Sequence, residues 1–223
     1  VTAYAVRAFR GDAAEFHGRV LDGVVAPEVW VFEVERPALV LGSTQRAEQV
    51  VDAAACARAG VSVVRRRSGG GVVLLEPGRI VWFDVVVPTA RLHEAGVGDD
   101  VAASMRWLGE HVASALRTLG VVDVAVHQDG LVACSRWCPL VCFAGLGPGE
   151  VVHGGAKLVG ISQRRNRAGA RFQCAVHTTW NPAGLAALLA GDVPVAELPA
   201  VAELPVDVAA ALPAAVAAQL SST

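Results

Sequence analysis

The sequence predicts a mixed α/β (α+β) domain in which helices lie on a largely antiparallel sheet, and three observations predict it. Short runs rich in Val, Ile, Trp and Phe alternate with period two and are bounded by Gly, Pro and Asp. Residues 98–120 carry apolar side chains three or four apart, the spacing of one helix face. With 223 residues, 53% of them hydrophobic, and a mean hydropathy of +0.46, the chain can bury one substantial core, and nothing forces a second. The expectation is one domain over residues 1–223, with 181–223 a Pro/Ala-rich helical tail packed on it.

Along the chain, "VWVFEV" and "ALVL" read as strands separated by Arg36-Pro37, which ends one and turns the chain. "AEQVVDAAACARAG" reads as one helix closed by Gly60, and "VSVVRR" as the strand after it. In "RIVWFDVVVP" alternation puts Val81, Phe83, Val85 and Val87 on one face and Ile80, Trp82 and Asp84 on the other. The longest helix places Val101, Met105, Leu108, Val112, Leu116 and Leu119 on its apolar face, with Asp99 or Asp100 as cap and Gly120 as stop. "VVDVAV" and a turn at "QDG" follow, then "GAKLVGISQRR" and "ARFQCAVHTTW" as paired strands around "RRNRAG". From Asn181 onward, short helical pieces are expected between Pro194, Pro199, Pro205 and Pro213.

Charge and cysteines narrow the function classes. A formal net charge of -2 offers no global attraction to nucleic acid or an anionic membrane, so neither is expected as a partner and anion recognition must be local. No apolar run approaches the roughly 18–20 residues that span a bilayer, and no secretory pattern follows Val1, so a cytoplasmic protein is expected. The five cysteines are an odd number in a chain too apolar to need disulfide staples. Cys134, Cys138 and Cys142 recur every four residues, but Pro139 interrupts them and paired zinc knuckles are lacking, so no metal site is assigned.

The stretch that points to chemistry is "VVRRRSGGGVVLLEPG". Glycine gives a strand neither side chains to pack nor restraint, so something must approach that backbone closely. Consecutive backbone N–H groups in a glycine turn form a concave donor surface for phosphate or carboxylate, and the flanking guanidiniums add charge-assisted bonds. It is neither a Walker loop nor a dinucleotide fingerprint, because the glycines are contiguous and a strand follows. Read alone, the same residues also make a flexible hairpin turn beside a solvated basic patch.

Four segments in order resemble the lipoate-protein ligase A family. "RRRSGGGVVLLEPG" is similar to its first signature, "GGAKLVGISQRR" to its Gly-x-Lys-x-x-Gly-x-Ala/Ser-Gln signature, "RPALVLGSTQ" to its upstream strand, and "VHQDGLV" to its Asn-Asp-Leu segment. The family belongs to the biotin and lipoate ligase superfamily, whose catalytic domain is a mixed sheet flanked by helices. The resemblance implies an enzyme that activates lipoate or octanoate with ATP and Mg2+ as an acyl-adenylate and passes the acyl group to a lysine of a lipoyl-domain protein. It implies that Arg66, Arg67, Ser68, Gly69, Gly70 and Gly71 line the acyl chain and nucleotide phosphates, with Asp129, Gly160 and Ser162 completing the site. Lys157, the only lysine, matches the residue that bridges the acyl carbonyl and the phosphoryl oxygen, which suits a compact ammonium with three donors.

The chain departs from the pattern in three places. Leu74, Leu75 and Glu76 stand where an aromatic and a His-Asp or His-Glu pair usually follow the glycines, and Gln173 and Cys174 replace a His-Gly pair, with His177 further on. The accessory C-terminal domain of many such ligases is not expected in this length. Cys142-Phe143 is similar to the Cys-Phe pair of octanoyltransferases in the same superfamily, which take the acyl group from acyl carrier protein as a thioester without a cofactor. A non-catalytic ligand-binding member of the superfamily is the third reading.

Overall fold

The computed structural model of the protein describes residues 3–21 and 24–222. Its elements in chain order are β1 (Ala5–Gly11), α1 (Ala13–Gly18), β2 (Glu28–Val34), β3 (Ala38–Leu41), α2 (Ala47–Val50), α3 (Ala53–Arg58), β4 (Ser62–Arg65), β5 (Val73–Leu75), β6 (Ile80–Pro88), α4 (Thr89–Glu94), α5 (Val101–Thr118), β7 (Val124–Val126), β8 (Val132–Ala133), β9 (Gly145–Leu146), β10 (Val151–His153), β11 (Ala156–Arg165), β12 (Gly169–His177), α6 (Pro182–Ala186) and α7 (Val206–Ser221). A 3-10 turn covers Cys142–Ala144.

Seven strands form the main sheet in the order β1-β2-β6-β12-β11-β10-β7, while β4-β3-β5 make a second sheet and β8-β9 a ribbon. Every neighbouring pair in the main sheet is antiparallel except β1 with β2. The expected mixed, largely antiparallel sheet flanked by helices therefore holds. The β11–β12 hairpin sets Ser162 opposite Gln173, and β12 in turn sets Gln173 opposite Asp84 of β6.

Strand alternation then sorts the side chains. On one face Phe83, Val85, Val87, Phe172, Cys174 and Val176 pack with Leu108, Val112 and Leu116 of α5 and with Leu212, Val216 and Leu220 of α7. Burying each of those leucines contributes about 1.5–3 kcal/mol. On the other face lie Trp82, Asp84, Arg171, Gln173 and Ser162. Here Trp82 packs with Phe16 of α1, Phe32 of β2, and Val40 and Leu75 of the second sheet. The apolar part of the site is built between the two sheets on this face.

Helix α5 has the cap and stop read from its sequence. The Asp100 carboxylate accepts from the Ala103 N–H at 2.9 Å, and Gly120 takes the left-handed conformation at φ 84°. Its first apolar position differs, since Val101 is 52% exposed. The helix expected over residues 47–60 is two helices, because the chain extends at Val51 and Asp52, where Asp52 N–H donates to Leu188 O and Val50 O accepts from Ala190 N–H. Asp52 restarts the second by accepting from the Ala55 N–H at 2.8 Å. Pro213 does not break the tail: it sits buried inside α7, whose apolar side chains fill the core. Burial there outweighs the local cost of a proline in a helix. Among the described residues, no helix is long and apolar enough to cross a membrane.

Candidate active site

The glycine loop runs between β4 and β5, and the structure identifies what approaches it: the chain itself. A Cβ on Gly71 would lie 2.6 Å from Cys142 N, Leu140 O and Val141 C, and one on Gly42 would lie 1.8 Å from Gly70 O. Val72 N–H donates to Leu140 O at 2.7 Å and Cys142 N–H to Val72 O at 3.0 Å, so the loop is stitched to the segment that carries Cys142. Gln45 clamps the arrangement: its Oε1 accepts from Gly42 N at 2.9 Å and its Nε2 donates to Leu140 O at 3.0 Å. Gly70 adopts φ +100°, and a Cβ there would meet Arg66 Nη2 at 2.8 Å and Cys142 Sγ at 3.7 Å. A bulky residue at Gly70 would thus strain the loop itself.

Arg66 turns inward rather than toward solvent. It is 4% exposed, and its Nη2 donates to Gly69 O at 2.7 Å and Gly71 O at 2.9 Å. Its guanidinium thus braces the loop carbonyls. Ser68 Oγ donates to Gln173 Oε1 at 2.7 Å and lies 3.0 Å from Ser162 Oγ. Gln173 Nε2 in turn lies 3.0 Å from Nδ1 of His17, which stacks on Trp82 with ring centroids 4.3 Å apart. Burial, helped by the nearby Arg171 and Arg66 charges, pushes the His17 pKa down to about 3, so its imidazole is neutral at ordinary pH.

Lys157 and Cys142 meet on the other side of the loop. Lys157 Nζ donates to Cys142 O at 3.0 Å, to Gly145 O at 3.0 Å and to Glu150 Oε2 at 2.7 Å. The lysine is 5% exposed and Glu150 4% exposed. Burial is the largest single influence and pulls the lysine toward neutrality, but the Glu150 carboxylate together with Cys142 and Cys134 outweighs it and the pKa rises. Glu150 is itself held by Gly147 N at 2.8 Å and Ile161 N at 3.0 Å. The ammonium thus ties the Cys142 turn to the start of β11.

Two cavities share this corner. An apolar one of about 50 Å³ lies between the sheets, lined by Val40, Val73, Leu75 and Trp82, with Gly160 and Cys142 at its wall. A larger one of about 300 Å³ is lined by Gly69, Gly70, Gly71, Lys157, Ser162 and Cys142. Cys142, Ile161 and Ser162 border both. A third, of about 100 Å³, lies across the His17–Gln173 pair and is basic, with Arg19, Arg67, Arg164 and Arg171 in its wall. Arg171 is engaged by the buried carboxylate of Asp84, whereas Arg67 and Arg164 have no ion-pair partner among the described residues.

The fold therefore gathers Arg66, Ser68, Gly69, Gly70, Gly71, Cys142, Lys157, Gly160 and Ser162 around two adjoining cavities. Arg67 faces the basic cavity instead. Asp129 is exposed in its turn and borders none of the three. His177 is buried against Phe143 at 4.7 Å and Trp180 at 4.9 Å between ring centroids, and burial, then Lys157, pushes its pKa down to about 4. Sequence reasoning missed His17 and Glu150: α1 offers no motif around its histidine, and one acid after "GLGPG" carries no spacing signal.

Comparison with known proteins decides the family. The model for the lipoyl protein ligase A/B catalytic domain matches residues 15–209. The chain belongs to that family. Octanoyltransferase LipM of Kyrpidia tusciae is 33% identical over 147 residues, 65% of this chain and 52% of that protein. Octanoyltransferase LipM of Moorella thermoacetica is 30% identical over 145 residues, 65% of this chain and 50% of that protein. The chain thus spans about half the length of the curated relatives it matches. Among solved structures, the bipartite lipoate protein ligase of Thermoplasma acidophilum, described with its E2 lipoyl domain, aligns at TM-score 0.71 and 18% identity, covering 100% of this chain and 84% of that one. A lipoate-protein ligase A bound with ATP aligns at 0.69 and 19%, covering 99% and 86%. These neighbours support the fold: a ligase-type mixed sheet between helices.

Proposed function

We propose that this family member attaches an octanoyl or lipoyl group to a lysine of a lipoyl-domain protein, and that Cys142 carries the acyl group in transit. The observation that carries the reading is the place of Cys142, at the wall common to the apolar cavity and the glycine-loop cavity. An acyl chain in the first puts its carbonyl carbon beside the thiol, and an attacking amine enters through the second. In the first step the Cys142 sulfur, its proton released, attacks the thioester of an acyl carrier protein; the new carbon–sulfur bond forms and the carrier thiol leaves with a proton. In the second, the acceptor lysine amine attacks the Cys142 thioester, forms the amide and returns the thiol. The names of the two LipM relatives agree with this route.

The chain's other residues act by holding geometry. Lys157 fixes the Cys142 and Gly145 carbonyls and so orients the turn that presents the sulfur. The N–H groups of Gly69, Gly70 and Gly71 have no hydrogen-bond partner among the described residues. They are the donors for the oxyanion that develops when the acyl carbonyl is attacked. The Lys157 ammonium has all three donors engaged by the protein, so a direct bridge to substrate oxygens, as the family resemblance implies, would require it to leave one of these partners.

Activation of the free acid with ATP and Mg2+ is the second reading, favoured by the unpaired Arg67 and Arg164 in a basic cavity next to the glycine loop. Among the described residues no three His, Cys, Asp or Glu side chains converge as a metal set, so none is named as a ligand of Mg2+. A purified lipoyl domain, incubated with the protein plus octanoyl carrier protein in one tube and octanoate, ATP and Mg2+ in another, tests both. Modification in the first tube, an octanoyl adduct on the intact protein and loss of both in Cys142→Ser are expected. Modification only in the second tube, retained by Cys142→Ser, would establish adenylation instead, and no modification in either leaves a ligand-binding protein.

A further inference from the structure

Gln163 follows Ser162 on β11 and lines the same cavity as Cys142, Lys157 and the glycine loop. Its amide has a dictated orientation. Ser104 of α5 donates its hydroxyl hydrogen to Val101 O at 2.9 Å. The same oxygen accepts from Arg165 Nη2 at 3.0 Å and from Gln163 Nε2 at 3.0 Å. A hydroxyl offers one hydrogen and two lone pairs, so Ser104 is saturated and only the NH2 end of Gln163 can face it. Gln163 Oε1 is left buried and without a hydrogen-bond partner among the described residues. An acceptor in that condition is costly unless a ligand or water supplies its donor.

In the structure no side chain of the cavity donates to Gln163 Oε1, and the free N–H groups of Gly69, Gly70 and Gly71 are taken up by the acyl oxyanion. All three hydrogens of Lys157 are engaged, one of them by Glu150, and an acyl chain and its carbonyl carry no N–H or O–H. The reactant that does bring donors is the primary amine. The Lys157–Glu150 pair is neutral as a unit, so it does not oppose the positive charge that develops on the amine as it attacks. We infer that Gln163 Oε1 accepts an N–H of the acceptor lysine and aims its nitrogen at the acyl carbonyl, making Gln163 the residue that positions the nucleophile for the second half of the reaction. This rests on the acyl-transfer reading above and adds to it the group that recognises the amine.

The test separates the two half-reactions. The protein is loaded with octanoyl from octanoyl carrier protein, freed of donor, and mixed with excess lipoyl domain; intact mass follows both the thioester and the amide. Gln163→Leu is expected to load at the parental rate and to discharge to the lipoyl domain roughly 10-fold more slowly, the loss of one hydrogen bond to an amine that gains positive charge as it attacks. Gln163→Glu keeps an oxygen acceptor, and with the Ser104 hydroxyl turned from Val101 O to the second carboxylate oxygen it recovers most of that loss. Parental discharge by Gln163→Leu, or an equal loss in loading and discharge, overturns the inference. If the parent protein forms no thioester, the Cys142 route is what fails, and the variants are compared for discharge of preformed octanoyl-adenylate. There the inference still requires Gln163→Leu to be slow at amine attack, and a defect confined to adenylate formation overturns it.

Discussion

The two faces of the main sheet are made by the same strands and solve different problems. Phe172 and Cys174 point into a dry core under α5 and α7, where any apolar residue of the right volume satisfies its surroundings. Arg171 and Gln173, one residue away, point to the face that holds the apolar and basic cavities, and each depends on named partners. Arg171 bonds the buried Asp84 carboxylate, Phe16 O at 2.8 Å and Arg19 O at 3.0 Å, while Gln173 joins Ser68 to His17. Desolvation raises the Asp84 pKa despite the arginine beside it. The core face therefore stores stability in area, whereas the site face stores it in a few pairings that fail abruptly.

The sharpest contrast lies between adjacent positions on β12. Arg171→Leu should cost about 3–5 kcal/mol in denaturant unfolding, because it strands a buried carboxylate. Phe172→Ala should cost a similar ~3–5 kcal/mol through a cavity. Only the first should be rescued: adding Asp84→Leu to Arg171→Leu removes the stranded charge and restores most of the stability. Failure of that double variant to recover would break the distinction between the faces.

At the glycine loop the expected effects are smaller. Gly71→Ala forces a Cβ against the Leu140–Cys142 backbone, only 2.6 Å away, and should lose about 1–3 kcal/mol together with acyl transfer. Gly69→Ala meets nothing within 4 Å, and its melting temperature should stay near that of the parent. Equal destabilisation by both would mean that glycine's backbone freedom, rather than the close approach of the Cys142 segment, governs the loop.

The smallest effect concerns pH. Burial first, then Arg171 and Arg66, holds the folded pKa of His17 at about 3, below its ordinary value of 6.5. Between those values the unfolded chain binds a proton that the folded chain does not, so stability falls as pH drops. His17 should remove about 1.4 kcal/mol per pH unit well inside that window. His177 behaves alike down to about 4. Unfolding curves from pH 7 to 4.5 for the parent and His17→Phe should converge as pH falls; parallel curves would show that His17 is charged in the folded protein.

The sequence alone determined the strands on either side of the glycines, the two faces of β6, the cap and stop of α5, the β11–β12 hairpin and the family, since each rests on local spacing, turn chemistry or an ordered motif. It also marked Lys157, Cys142 and the glycine loop as one chemical neighbourhood. What it could not carry was the partner of each group. The break at Val51 depends on Leu188 and Ala190, and Pro213 stays helical because the α7 face is buried. His17 reaches Gln173 across 156 positions, and Gln163 is oriented by Ser104, 59 positions away. Tertiary structure decided that the glycines admit the Cys142 segment itself and that Arg66 braces the loop, because close approach and hydrogen-bond saturation are properties of space between distant segments.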